Sequence, residues 1–151
     1  MYRLLILLTL SAFIGCGDLD SGPRTITDPH GEFNDATGFS LPATAKVVAA
    51  GDTHGGFHGD GELYLVFKTD PATVQKWLDS IPPWKQTEWL TGPVPGDISG
   101  HCMDAPTTGM NSTTIKYVAE DFRLSSIEWH NGRLLVLNPE TGDVTLSWWD
   151  F

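Results

Sequence analysis

"IKYVAEDFRLSSIEWHNGRLLVLNPETGDVTLSWWDF", Ile115 to Phe151, is the stretch on which the fold turns. Runs rich in β-branched, aromatic and other apolar residues, broken by short Asn, Gly and Pro clusters, read as strands separated by tight turns. "IKYVAEDF" is one such strand. "SSIEWHNGRLLVLN" reads as two strands joined by Asn131-Gly132, because a two-residue hairpin needs positive φ at both central positions and Asn and Gly accept it. "NPETGDVTLSWWDF" adds a second turn and a last strand. The expectation is an antiparallel meander. Trp148 and Trp149 are neighbours on one strand and must point to opposite faces. One packs on the helix side of the sheet; the other is covered by a loop or exposed.

Upstream, "TAKVVAAG" and "GELYLVFKTD" (Gly61 to Asp70) read as two further strands. In the second, Leu63, Leu65 and Phe67 alternate with Tyr64, Val66 and Lys68, so both faces are expected to be partly covered. "DPATVQKWLDSIPP" follows. Asp70 is an N-cap and Pro71 takes the first helical position. Val74, Trp77, Leu78 and Ile81 recur at helical spacing, which predicts one apolar face. Pro82-Pro83 ends the helix. The fold class expected for residues 41–151 is therefore α+β: a mostly antiparallel sheet with a C-terminal β-meander and one packed helix, in a single domain.

Between helix and meander, Trp84 to Thr114 is rich in Gly and Pro and poor in periodicity. It reads as a long irregular segment with one short helical turn near Trp89. Trp84 and Trp89 are candidate binding residues if exposed, since aromatic faces stack on sugars and grip partner proteins. The competing reading is that they plug the sheet face beneath the loop.

The 151 residues carry a formal charge of −10, dispersed along the chain. Nucleic acid is excluded as a partner, because binding phosphate backbones requires clustered Lys and Arg. The two cysteines, Cys16 and Cys102, lie in very different surroundings. His101-Cys102 resembles no nucleophile motif: thiol peptidases of the NlpC type carry theirs in a DCSG-like sequence, which "SGHCMDAP" is not. Cys102 reads as a small buried loop thiol.

"GDTHG", Gly51 to Gly55, is similar to the first metal-binding motif of calcineurin-like metallophosphoesterases. The resemblance implies metal-ligand roles for Asp52 and His54. It stops there, because the second Asp, the Asn-His pair and the GHxH-type motif of that family have no counterparts. A smaller metal site is the alternative: Asp52, His54, His58 and Asp60 share a face in an extended hairpin, and zinc accepts such ligands. The simpler reading is a Gly-rich turn between two strands, with no metal and no cofactor.

"MYRLLILLTLSAFIGC" opens the chain with Arg3 and an apolar run from Leu4 to Ile14. The run is too short to span a bilayer and has the length of a signal-peptide core. Its end, Phe13-Ile14-Gly15-Cys16, resembles a bacterial lipobox. That resemblance implies a signal peptide over 1–15, cleavage before Cys16, acylation of the Cys16 thiol, and export to a membrane. In a cell with two membranes it implies the periplasmic side of the outer one, since the first Asp stands at position 18 and not 17. Residues 16–40, rich in Gly, Asp, Thr and Pro, read as a flexible tether with a reach of roughly 27 Å. The whole resembles small uncharacterised bacterial lipoproteins. The partners implied are the membrane, through Cys16, and an envelope protein or glycan.

Overall fold

The computed structural model describes residues 24–54, 60–102, 104–106, 109–123 and 130–150. Its centre is a six-stranded antiparallel sheet. The strands are β1 (Lys46–Asp52), β2 (Gly61–Lys68), β3 (Leu90–Thr91), β4 (Lys116–Arg123), β5 (His130–Leu137) and β6 (Asp143–Asp150), ordered β1-β2-β6-β5-β4-β3. The C-terminal meander β4-β5-β6 is present, and the fold is α+β. The turn after β5 is the expected one. Asn138 Oδ1 accepts from the N–H groups of Glu140 and Thr141 at 3.0 and 3.1 Å, and Gly142 supplies a φ of 76°.

The Asn131-Gly132 hairpin is not present. Both residues lie inside β5, where Gly132 pairs with Asp121 on one side and Trp149 on the other. The connection from β4 to β5 falls on residues 124–129, outside the described residues. Gly132 is needed for a different reason: a Cβ there would stand 2.5 Å from the Trp149 ring and 2.7 Å from the Glu120 carbonyl oxygen. The glycine makes room for an indole.

α1 (Pro29–Thr37), α2 (Pro71–Leu78) and the four-residue α3 (Gly96–Ser99) complete the order of elements. α2 starts as expected: Asp70 caps it by accepting from Thr73 N at 2.9 Å, and Val74 and Trp77 are buried. Ile81 lies past the helix end and is 80 % exposed, a correction to the predicted apolar face. The short helical turn expected near Trp89 is instead α3.

α1 corrects the tether. The segment from Arg24 to Ser40 is part of the fold, and the domain begins well before Leu41. Asp28 Oδ1 accepts from Gly31 N at 2.9 Å, Pro29 takes the first turn, and Gly38 closes the helix with a φ of 75° and a bond from its N–H to Asn34 O. Low apolar content disguised this helix, yet Phe33 anchors it in the core, with Trp84 Nε1 donating to Ala36 O and Asn34 Oδ1 accepting from Leu41 N as further ties. The fully buried Phe33 ring meets Phe67 edge-on at 5.5 Å and Trp77 at 5.7 Å. Burying such a ring contributes about 1.5–3 kcal/mol.

The sheet separates two cores. On one face, Leu63, Leu65, Phe67, Leu135, Leu137, Val144 and Leu146 pack under α1 and α2. On the other, Tyr117, Leu134, Val136 and Trp149 are covered by Val94, Cys102, Ala105 and Met110 of the long loop. Trp149 is thus the loop-covered member of the Trp pair. Among the described residues no helix is long and apolar enough to cross a membrane.

Candidate functional site

Register places one row of side chains across five strands on the helix face: Asp52, Leu63, Trp148, Arg133 and Glu120. The next row inward, Ala50, Leu65, Leu146, Leu135 and Val118, is apolar and roofed by the helices. The first row lies near the sheet's end. Trp148 there is 42 % exposed and walls a cavity of about 330 Å³, lined also by Arg24, Glu32, Asp52, His54, Leu63 and Asp150.

Asp52 organises this cavity. Its side chain is only 3 % exposed. Arg24 Nε donates to Oδ2 at 2.7 Å. Oδ1 accepts from His54 N at 3.0 Å and faces His54 Nδ1 at 2.8 Å. With Asp52 as the acceptor, Nδ1 carries the proton, which fixes the tautomer and the ring. Arg24 also donates to Glu32 Oε1 at 2.9 Å, and its backbone N–H bonds Asp52 O at 2.9 Å. Glu32 sits in the first turn of α1, so the Asp28 cap places a carboxylate at the cavity.

At the far end of the row, Arg133 donates from Nε and Nη2 to Glu120 Oε2 at 2.8 and 2.6 Å. Its guanidinium lies 4.7 Å from the Trp84 ring centre and 5.9 Å from that of Trp148. Trp84 holds an unusual φ of 61°, followed by Lys85 at 59°. Left-handed backbone at a bulky residue costs about 1–2 kcal/mol, offset here by the Arg133 stack and by Trp84 Nε1 donating to Ala36 O at 2.7 Å.

Of the residues singled out in the sequence, Asp52 and His54 come together. His58 lies outside the described residues. Asp60 is half-buried and is not among the cavity's lining residues. Among the described residues no three His, Cys, Asp or Glu side chains are grouped to hold a metal. Trp84 and Trp89 are half-buried against the helix-side core; Trp89 stacks on Phe39 and donates from Nε1 to Ser80 O at 3.3 Å. Cys102 is buried, and burial pushes its thiol up to about 11, so it stays protonated and is a poor nucleophile. The ring of the neighbouring His101 stacks on Trp149 at 5.7 Å.

Arg24, Glu32 and Asp150 were not legible as site residues. The one local signal was the Asp28-Pro29…Gly38 pattern, which repeats the Asp70-Pro71 start of α2.

A second buried carboxylate lies on the opposite face. Glu62 is 1 % exposed. Ser147 Oγ donates to its Oε1 at 2.6 Å and Asp104 N to its Oε2 at 2.7 Å. Burial raises its pKa above the ordinary 4.5, against the lowering effect of those two bonds. Trp149 Nε1, also buried, has no hydrogen-bond partner among the described residues.

No protein-family model, curated protein or solved structure matches this chain.

Proposed function

We propose that the protein is a lipid-anchored module of a bacterial cell envelope that binds a small ammonium-bearing ligand in the cavity beside Trp148. One observation carries the binding half of this reading. A half-exposed indole, with the Arg133 guanidinium 5.9 Å from its ring centre, stands in a cavity whose lining carboxylates, Glu32, Asp52 and Asp150, outnumber its lining guanidinium, Arg24. An organic cation gains there from the excess of carboxylates and from the indole face, worth about 0.5–2 kcal/mol. An anion is repelled.

Arg3, the apolar run to Ile14 and the Gly15-Cys16 end support the anchoring half. Acyl chains on Cys16 would hold the protein at a membrane, since each buried methylene is worth about 0.8 kcal/mol and two or more chains hold firmly. The outer membrane, on its periplasmic side, is the proposed destination in a two-membrane cell. A metal-dependent hydrolase built on Asp52, His54, His58 and Asp60 has less support. Both Asp52 oxygens are already engaged, by Arg24 and by His54.

The test uses the full chain with Cys16→Ser, titrated calorimetrically with ethanolamine, choline, glucose and inorganic phosphate. The ammonium compounds are expected to bind, and Trp148→Ala or Asp150→Asn to weaken them severalfold. Binding of glucose or phosphate alone, or of none of the four, would sink the reading.

A further inference from the structure

The sequence suggests a tether of 24 residues between the anchor and the domain. The fold shortens it. Arg24 is fixed through its backbone to Asp52 O and through its side chain to Asp52 and Glu32. Only the seven residues 17–23 separate it from Cys16. Eight Cα steps span at most about 29 Å when fully extended. An eight-residue strand is itself roughly 26 Å long. If the opposite end of the sheet faced the membrane, Arg24 would stand nearly the full reach of the tether away, held there only by a taut chain. An anchor at Cys16 therefore favours the end that carries Arg24 as the membrane-proximal one.

That end is also where β1 and β6 finish and β2 begins, so it carries Asp52, Asp150, Gly61 and the exposed Trp148. The exposed Val47 and Val48 lie toward the opposite end of β1. We propose that this end is a membrane-docking face. Its occupant is the headgroup layer of the bilayer holding the Cys16 anchor, with lipid ammonium groups at Glu32 and Asp150 and the Trp148 indole in the interfacial zone. The inference rests on the anchored-module reading above and names the source of its ligand. Two arguments select the occupant. Indoles are enriched where an apolar layer meets a wet one. A chain of formal charge −10 is repelled by anionic lipid surfaces, whereas zwitterionic headgroups offer the cation that this cavity's carboxylates complement.

The experiment uses the lipidated full chain in phosphatidylethanolamine vesicles whose acyl chains carry bromine near the headgroup, a short-range quencher of Trp emission. Wild type is expected to survive an alkaline wash on the vesicles and to be quenched. Trp148→Phe, a change at an exposed ring, should retain the wash resistance and be quenched at least twofold less. Brominated phosphatidylglycerol vesicles should quench wild type less than the zwitterionic ones do. A chain that washes off defeats the anchor reading and this geometry with it. A retained chain without quenching, or equal quenching in Trp148→Phe, defeats the docking face alone. Equal quenching by the anionic vesicles defeats the ammonium match.

Discussion

Asp52 and Glu62 are both buried carboxylates near the same end of the sheet, on neighbouring strands and opposite faces, and the protein treats them differently. Asp52 is met by Arg24 and His54, groups that carry or can carry positive charge, at the wall of an open cavity. Glu62 is met by the Ser147 hydroxyl and by backbone N–H groups beneath a loop, with the Asp104 carboxylate nearby. A charge with neutral partners in a dry setting is pushed toward its protonated form. The helix face thus has an ion-paired rim that can meet a ligand. The loop face has an internal strut: Glu62 ties β2 and β6 to Asp104 of the long loop.

The contrast can be broken at its supports. The largest effect should come from Phe33→Ala, which empties the contact holding α1, and with it Glu32, over the helix face. Such truncations cost about 3–5 kcal/mol, read as a lower denaturation midpoint. A midpoint shift of a few tenths would mean that α1 is an accessory. On the loop face, Gly132→Ala should cost about 1–3 kcal/mol by overpacking, because Trp149 and a backbone carbonyl occupy the space. An unchanged midpoint would show that the Trp149 side of the sheet yields easily. Arg24→Ala should be milder, about 1 kcal/mol, since Arg24 is largely exposed and His54 still serves Asp52. It should also loosen the first residues of the domain to proteolysis.

The smallest effect is a slope. The pKa of Glu62 is raised in the folded state, so the native protein holds that proton more tightly than the unfolded chain does. The stability this gives is fully present below the ordinary value of 4.5. It is lost as pH rises from there through the folded value. Glu62→Gln can still accept from Asp104 N and donate to Ser147, and it does not titrate. Wild-type stability measured against this variant should therefore fall as pH rises above 4.5 and then level off. A flat difference would mean that Glu62 has no raised pKa.

Much of the fold was legible because its signals are local. Asp70-Pro71 announced α2 through a cap and a fixed φ. The alternation in Gly61 to Lys68 announced β2, and the Pro-Glu-Thr-Gly cluster announced the β5–β6 turn. Local signals also misled. Asn131-Gly132 is a turn signature, but the same glycine serves equally where a neighbouring indole needs its space, and only the partner strand tells the two apart. α1 was missed for the converse reason: its composition suggests no helix, and besides its cap and terminal glycine it is held by one buried Phe and by bonds to distant partners such as Trp84.

The candidate site was half legible. Asp52 and His54 attracted notice as a metal motif, and the structure places them side by side. Their setting was not legible, because Arg24, 28 positions upstream, shares Asp52 with His54. What the sequence alone determined was β1, β2, β4, β6 and the capped start of α2, since alternation and a Pro at a helix start act within a few residues of themselves. Tertiary structure decided which carboxylate would meet a cation and which would meet neutral donors beside another carboxylate. Ser147 lies 85 positions from Glu62 and Asp104 lies 42. A charge buried in a low-dielectric interior is governed by whatever the fold brings within hydrogen-bond reach, and no pattern along the chain encodes that distance.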